Sequence, residues 1–144
     1  MARQLAARLA ARFQPSVVLG IAKGGVFVGG ALASALGADF HVIRIEKRRR
    51  DASRGPAERL PDLSGKKVLV VDDVCASGST LDKARAMARK AGARQVQTAV
   101  LVKRPGGARP DWFALETNEL VLFGWDYELE STGSFAIDPG EVGV

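Results

Sequence analysis

The sequence predicts an α/β fold, a parallel central sheet flanked by helices, held in a single domain over residues 1–144. Three observations predict it. Short, continuously apolar runs recur, as in strands covered on both faces. Segments with helical spacing stand between them, and strand–helix–strand alternation favours a parallel sheet. Gly, Pro and small residues punctuate the joins.

Each element has its own signal. Residues 2–13 place Leu5, Leu9 and Phe13 one helical turn apart, and Pro15 ends that pattern. "VVLGIA" (17–22) is a buried strand. Gly24 and Gly25 follow it, and a helix of small residues runs over about 25–36, stopped by Gly37. "FHVIRIE" (40–46) alternates, which suits a strand with one wetter face. A basic loop with Pro and Gly fills 47–61, and "KVLVVDD" (67–73) is another buried strand. Residues 79–91 make a helix with Leu81, Ala84, Ala88 and Ala91 inward, closed by Gly92. "QVQTAVLVK" (95–103) is a strand, 104–111 a loop, and "LVLFGWDY" (120–127) a last strand.

Composition narrows the function. The hydrophobic fraction of 47% and charged fraction of 26% are those of a globular chain. No run is long and apolar enough to span a membrane. The start, "MARQLAARLAARF", lacks the apolar region of a secretory signal; a surface helix is expected there, with an Arg-rich transit segment as the alternative. A single cysteine leaves no disulfide partner within the sequence and points to a reducing, cytoplasmic setting. One histidine and one cysteine are too few for a structural zinc site. The net charge of +5 admits polyanionic partners. Much of that charge sits in "RIEKRRRDASRGPAER" (44–59). This run reads as a solvated loop, as a lid over phosphates, or as an RNA patch. Few aromatics lie near it to stack on bases, so nucleic acid is not the expected partner.

Residues 70–84, "VVDDVCASGSTLDKA", concentrate the chemistry. A buried strand ends in Asp72 and Asp73, whose side chains should point opposite ways on an extended backbone. The small residues of "ASGST" (76–80) let backbone N–H groups approach an anion, and Gly78 permits a turn other residues resist. A helix N-terminus follows, with unpaired N–H groups and about half a positive charge. Phosphate fits that end; sugar hydroxyls or a magnesium shell fit the acids. Ser and Thr also cap ordinary helices, and Asp ends many strands. The combination is what carries the assignment. No Lys occupies the Walker position, so a nucleotide-triphosphatase loop is not expected. Gly20, Ala22 and Gly25, with Glu46 beyond, imitate a degenerate dinucleotide fingerprint, but that reading leaves 72–80 unexplained.

"VLVVDDVCASGSTL" resembles the phosphoribosyl-diphosphate signature of the type I phosphoribosyltransferases. The resemblance covers most of the chain and implies that family's fold, with a small or reduced hood. It implies that catalytic Asp72 and Asp73 hold the ribose hydroxyls, and that Ala76, Ser77, Gly78, Ser79 and Thr80 wrap the 5′-phosphate. "GIAKGG" (20–25) resembles the family's pyrophosphate loop. It implies that Ala22, Lys23, Gly24 and Gly25 bind pyrophosphate, with a cis Ala22–Lys23 peptide. The C-terminal third resembles the branch that uses 6-oxopurines. By that resemblance Lys103 bonds the purine O6, Leu120 stacks on the base, the Val121 backbone reads its edge, and Asp126 lies near the exocyclic group and, through water or pyrophosphate, a magnesium ion. Phe123 or Trp125 is the alternative stacking partner. The implied cofactor is Mg2+, the implied substrates are phosphoribosyl diphosphate and a purine base, and family members commonly form dimers or tetramers. Two departures stand out. Ala76 occupies the place where oxopurine enzymes usually carry an Asp that handles a purine proton, and Leu120 stands where an aromatic ring is usual. A regulator that binds phosphoribosyl diphosphate without turnover, contacting RNA through its basic loop, is the alternative.

Overall fold

The computed structural model describes residues 1–45 and 59–125. The chain begins with α1 (Ala2–Arg12), whose stripe of Leu5, Leu9 and Phe13 is almost fully buried, at 1%, 0% and 2% exposure. Burying each such side chain is worth about 1.5–3 kcal/mol, and this holds the helix down more than its intrinsic propensity does. β1 (Val17–Ile21) is buried along its whole length. α2 (Gly24–Leu36) ends at Gly37, whose φ of +64° closes the helix in the left-handed region. β2 (Asp39–Ile43) is an edge strand with a wetter face. β3 (Lys67–Cys75), α3 (Ser79–Lys90), β4 (Gln95–Lys103) and β5 (Trp112–Glu116) complete the order.

The five strands lie parallel in the order β2-β1-β3-β4-β5. α1 and α2 cover one face, packing Leu5, Leu9, Val28 and Leu32 with Val18, Leu69 and Val71. α3 covers the other, packing Leu81, Ala84 and Ala88 with Val68, Val70 and Val100. The small residues of α2 have a packing reason. A β-carbon on Gly20 or Gly29 would come within 2.9 or 2.8 Å of the Phe40 ring, so glycine lets that ring fill the space between α2 and the sheet.

One expected element is corrected. Residues 120–125 form no strand, and 126–127 lie outside the described residues. The fifth strand is instead Trp112–Glu116, registered against β4 from Ala99↔Trp112 to Lys103↔Glu116. Within 120–125, Phe123 packs into the core and its ring stacks on Trp125, 4.7 Å between centroids. Leu120 and Leu122 are exposed, at 81% and 62%, so the apolar run reports the seating of one ring rather than a paired strand. β3 also runs on past Asp73 to Cys75, and α3 stops at Lys90, with Ala91 as its cap.

Candidate functional site

In an open parallel sheet, ligands settle beyond the carboxyl ends of the strands, where successive connections leave in opposite directions. Here that point lies between β1 and β3, since β1 connects outward to β2 and β3 to β4. The loop after β1 is 22–23, running into Gly24 and Gly25 at the start of α2, and the loop after β3 is 76–78. They are the two that the sequence singles out.

β3 carries the acid pair to this rim. Asp73 faces the first loop: a β-carbon on Gly24 would collide with its carboxylate, so only glycine lets the turn close on it. Asp73 Oδ1 accepts from the Val74 N–H at 2.7 Å. Asp72 faces the other way, into a cleft of about 180 Å³ lined also by Val74, Cys75, Ala76, Ser77, Gly78, Thr80 and Leu81. The two side chains thus meet different loops, yet their carboxyls stay close enough to act on one another. Burial pushes the Asp72 carboxyl up to about 7; the Asp73 N–H, donated to Asp72 Oδ1 at 2.9 Å, opposes this, and the neighbouring Asp73 charge adds to it. Burial also raises the Cys75 thiol, with Asp72 and Asp82 adding to the effect, so the cleft holds a protonated thiol rather than a nucleophile.

The second loop leads into α3 through Gly78, at φ +81° and without a capping side chain. Ser77 Oγ accepts weakly from the Ser79 N–H, at 3.4 Å. The first-turn amides of α3 thus open on the cleft with little side-chain competition, a ready anion site. Gly78 is needed for space as well as for φ. A β-carbon there would run into Ala108 of the 104–111 loop, and one on Gly107 would run into the Ala76 carbonyl. The Ala108 N–H donates to that same carbonyl at 3.1 Å.

Across β1, the Ala22–Lys23 peptide is cis, as the resemblance implies. The Ala22 N–H donates to the Ile43 carbonyl at 2.8 Å. Lys23 is exposed at the start of α2. Gly25 lies so close to β3 that a β-carbon would collide with the Val71 carbonyl.

The residues that the resemblance assigns to a base are more scattered. Lys103 ends β4, beside Cys75 in register, and is only 6% exposed. Its ammonium pairs with Glu116 Oε1 at 3.0 Å. The sequence does not point to Glu116, because nothing local links residues 13 positions apart until β5 is placed beside β4. Leu120 is 81% exposed and Val121 half-buried. Trp125 stacks on both Phe27 and Phe123, so its ring is committed to packing. Asp126, Glu46 and nearly all of the basic loop lie outside the described residues. A further cleft of about 230 Å³ opens on the far side of Gly78 and Ala108, lined by Asp82, Arg85 and Thr98, but the acid pair does not reach it.

The model of the phosphoribosyl transferase domain family matches residues 1–132. The orotate phosphoribosyltransferase of Sulfurisphaera tokodaii is 36% identical over 93 residues, which cover 64% of this chain and 46% of that protein. Transcriptional regulator GfcR 1 of Methanosarcina barkeri is 33% identical over 94 residues, covering 62% and 46%. The chain spans about half the length of these curated relatives. Among solved structures, the purine phosphoribosyltransferase of Pyrococcus horikoshii superposes with a TM-score of 0.76 at 28% identity, covering 86% of this chain and 85% of that one.

Proposed function

From the premise that this chain belongs to the phosphoribosyl transferase domain family, we propose that it transfers the 5-phosphoribosyl group of phosphoribosyl diphosphate to a purine base, a 6-oxopurine, and releases pyrophosphate. The observation that carries this reading is the meeting, at one switch point of the sheet, of an acid pair, a glycine-started helix and a glycine turn.

The roles follow from chemistry. Asp72 and Asp73 accept hydrogen bonds from the ribose hydroxyls. The amides of 76–80, with the Ser77, Ser79 and Thr80 hydroxyls, hold the 5′-phosphate. Lys23 and the Gly24 and Gly25 amides hold pyrophosphate. The base nitrogen attacks C1 of the ribose as the C1–O bond to pyrophosphate breaks, so catalysis rests on alignment and on stabilising charge at both ends. Lys103 donates to the purine carbonyl, a pairing that separates oxo from amino bases. Val121 and Asp126 complete the base site, with Leu120 as its apolar cover. No carboxylate stands at Ala76, so the purine proton leaves to solvent or to a group outside the described residues.

Magnesium fits this site as a partner of the substrate. Among the described residues no three His, Cys, Asp or Glu side chains converge on one point, and this cation commonly takes few protein carboxylates together with substrate phosphates and water. When bound, it supplies charge neutralisation at pyrophosphate. Asp126 would reach it through water.

Similarity to the Pyrococcus horikoshii purine enzyme and the buried cation of Lys103 support a purine. The matched orotate enzymes make orotate the base to test beside it. The matched regulators, with Ala76, favour a second reading: binding of phosphoribosyl diphosphate without turnover. The test is to incubate the protein with phosphoribosyl diphosphate, Mg2+ and hypoxanthine, guanine, xanthine, adenine or orotate, and to measure pyrophosphate. Release with oxopurines and not adenine is expected. Release with orotate alone reassigns the base. Tight binding of the sugar diphosphate with no release establishes the regulator.

A further inference from the structure

Arg104 follows the last residue of β4 and has no part in the roles above. Its backbone N–H donates to the Cys75 carbonyl at 2.9 Å, directly before the 76–80 loop. Its side chain turns the other way. One nitrogen, Nη1, donates to the Thr117 carbonyl at 2.8 Å and to the Glu119 carbonyl at 2.6 Å. Thr117 is held a second time, by its N–H on the Lys103 carbonyl at 3.1 Å. The Glu119 N–H donates to Thr117 Oγ1 at 3.0 Å. Residues 117–119 follow the end of β5, so the sheet no longer fixes their path. They lead directly into Leu120 and Val121.

We infer that Arg104 is the positioning residue that sets the base-binding segment at a fixed reach from the phosphate loop. This rests on the proposed assignment of Leu120 and Val121 to the base and of 76–80 to the 5′-phosphate. A nucleotide spans both, so its binding depends on their separation; a sugar phosphate occupies only one. A guanidinium suits the task because it is always charged and can serve two carbonyls that no strand partner satisfies. Without it, two carbonyls lose their donor and the segment loses its anchor, while the contacts that hold the phosphate loop remain: the Arg104 backbone N–H on Cys75 and the Ala108 N–H on Ala76.

The test is calorimetric binding of inosine monophosphate and of ribose 5-phosphate to the wild type, Arg104→Ala and Arg104→Lys, with melting temperatures recorded. Arg104→Ala should weaken inosine monophosphate about tenfold or more, the scale of losing charge-assisted hydrogen bonds, and ribose 5-phosphate less than about twofold. Arg104→Lys, which keeps a cation able to donate to both carbonyls, should recover at least half of the loss on a logarithmic scale. If Arg104→Ala is unfolded, Arg104→Met, which keeps the apolar stem and removes the donors to Thr117 and Glu119, takes its place against the wild type: a loss confined to the nucleotide supports the role. Equal losses for both ligands, or none for either, overturn it. If the wild type binds neither ligand, the functional reading falls and this role with it; if it binds both and their ratio is unmoved by substitution, only this role falls.

Discussion

Asp72 is a carboxyl kept at the edge of ionisation. Its folded value of about 7 stands well above the ordinary 3.8, because burial penalises the charged form. The fold therefore binds this proton more tightly than the unfolded chain does. The resulting stability is fully present below about pH 4 and is lost as pH rises through 7. Asn imitates the protonated form and can still accept the Asp73 N–H. Asp72→Asn should thus melt above the wild type at pH 8, by roughly 2–6 °C, and the gap should close by about pH 4; calorimetric scans at the two values check this. A gap independent of pH would mean that Asp72 is not the titrating group. The same variant should lose affinity for phosphoribosyl diphosphate, since it trades an acceptor for a donor where sugar hydroxyls are to be held. The acid pair was legible in the sequence because a buried strand cannot run into two carboxylates without reaching a rim. The proton affinity of one of them was not, since it depends on what packs around it.

β5 is the element that the sequence hid. "WFALE" is short, follows Pro110 and Asp111, and carries no clean alternation, whereas 120–127 is richer in the residues that strands favour. What fixes β5 is a polar clasp at its start. Asp111 Oδ2 accepts from the Thr98 N–H at 2.8 Å, from Thr98 Oγ1 at 3.1 Å and from Arg85 Nη2 at 2.9 Å. One residue on, Trp112 Nε1 donates to Gln97 Oε1 at 2.6 Å, and the Arg8 guanidinium lies 5.6 Å from the Trp112 ring. Thr98 is only 1% exposed while the Asp111 side chain is 40% exposed, so solvent entering the vacated place offsets part of the lost acceptor but not all of it. Asp111→Ala should destabilise the protein by about 1–3 kcal/mol, read by urea unfolding. It should also loosen the Lys103–Glu116 pair at the far end of the strand. A loss below about 0.5 kcal/mol would mean that strand pairing alone holds β5. α1 and α3 are legible in the sequence nearly to the residue, because a stripe at helical spacing needs no distant partner to declare itself.

At the scale of the whole molecule, the site is a consequence of strand order. The cleft, the glycine turn and the helix start meet only because β1 and β3 are neighbours. A ligand that bridges them binds the native state and not the unfolded chain. Phosphoribosyl diphosphate with Mg2+, at about 100 times its dissociation constant, should add about 2.7 kcal/mol to stability and raise the melting temperature by roughly 5–10 °C. Adenine at the same concentration should not. A melting point indifferent to the sugar diphosphate would remove the ligand from this site. The sequence by itself determined the α/β alternation, the acid pair, the small-residue loop and the helix behind it, because each is a local pattern of burial, charge and backbone freedom. Tertiary structure alone decided which segment is the fifth strand, which acid faces the cleft, and that Glu116 pairs with Lys103 while Arg104 holds the carbonyls of 117 and 119. Those depend on contacts between residues far apart in the chain, and such contacts exist only once the sheet has set its order and register.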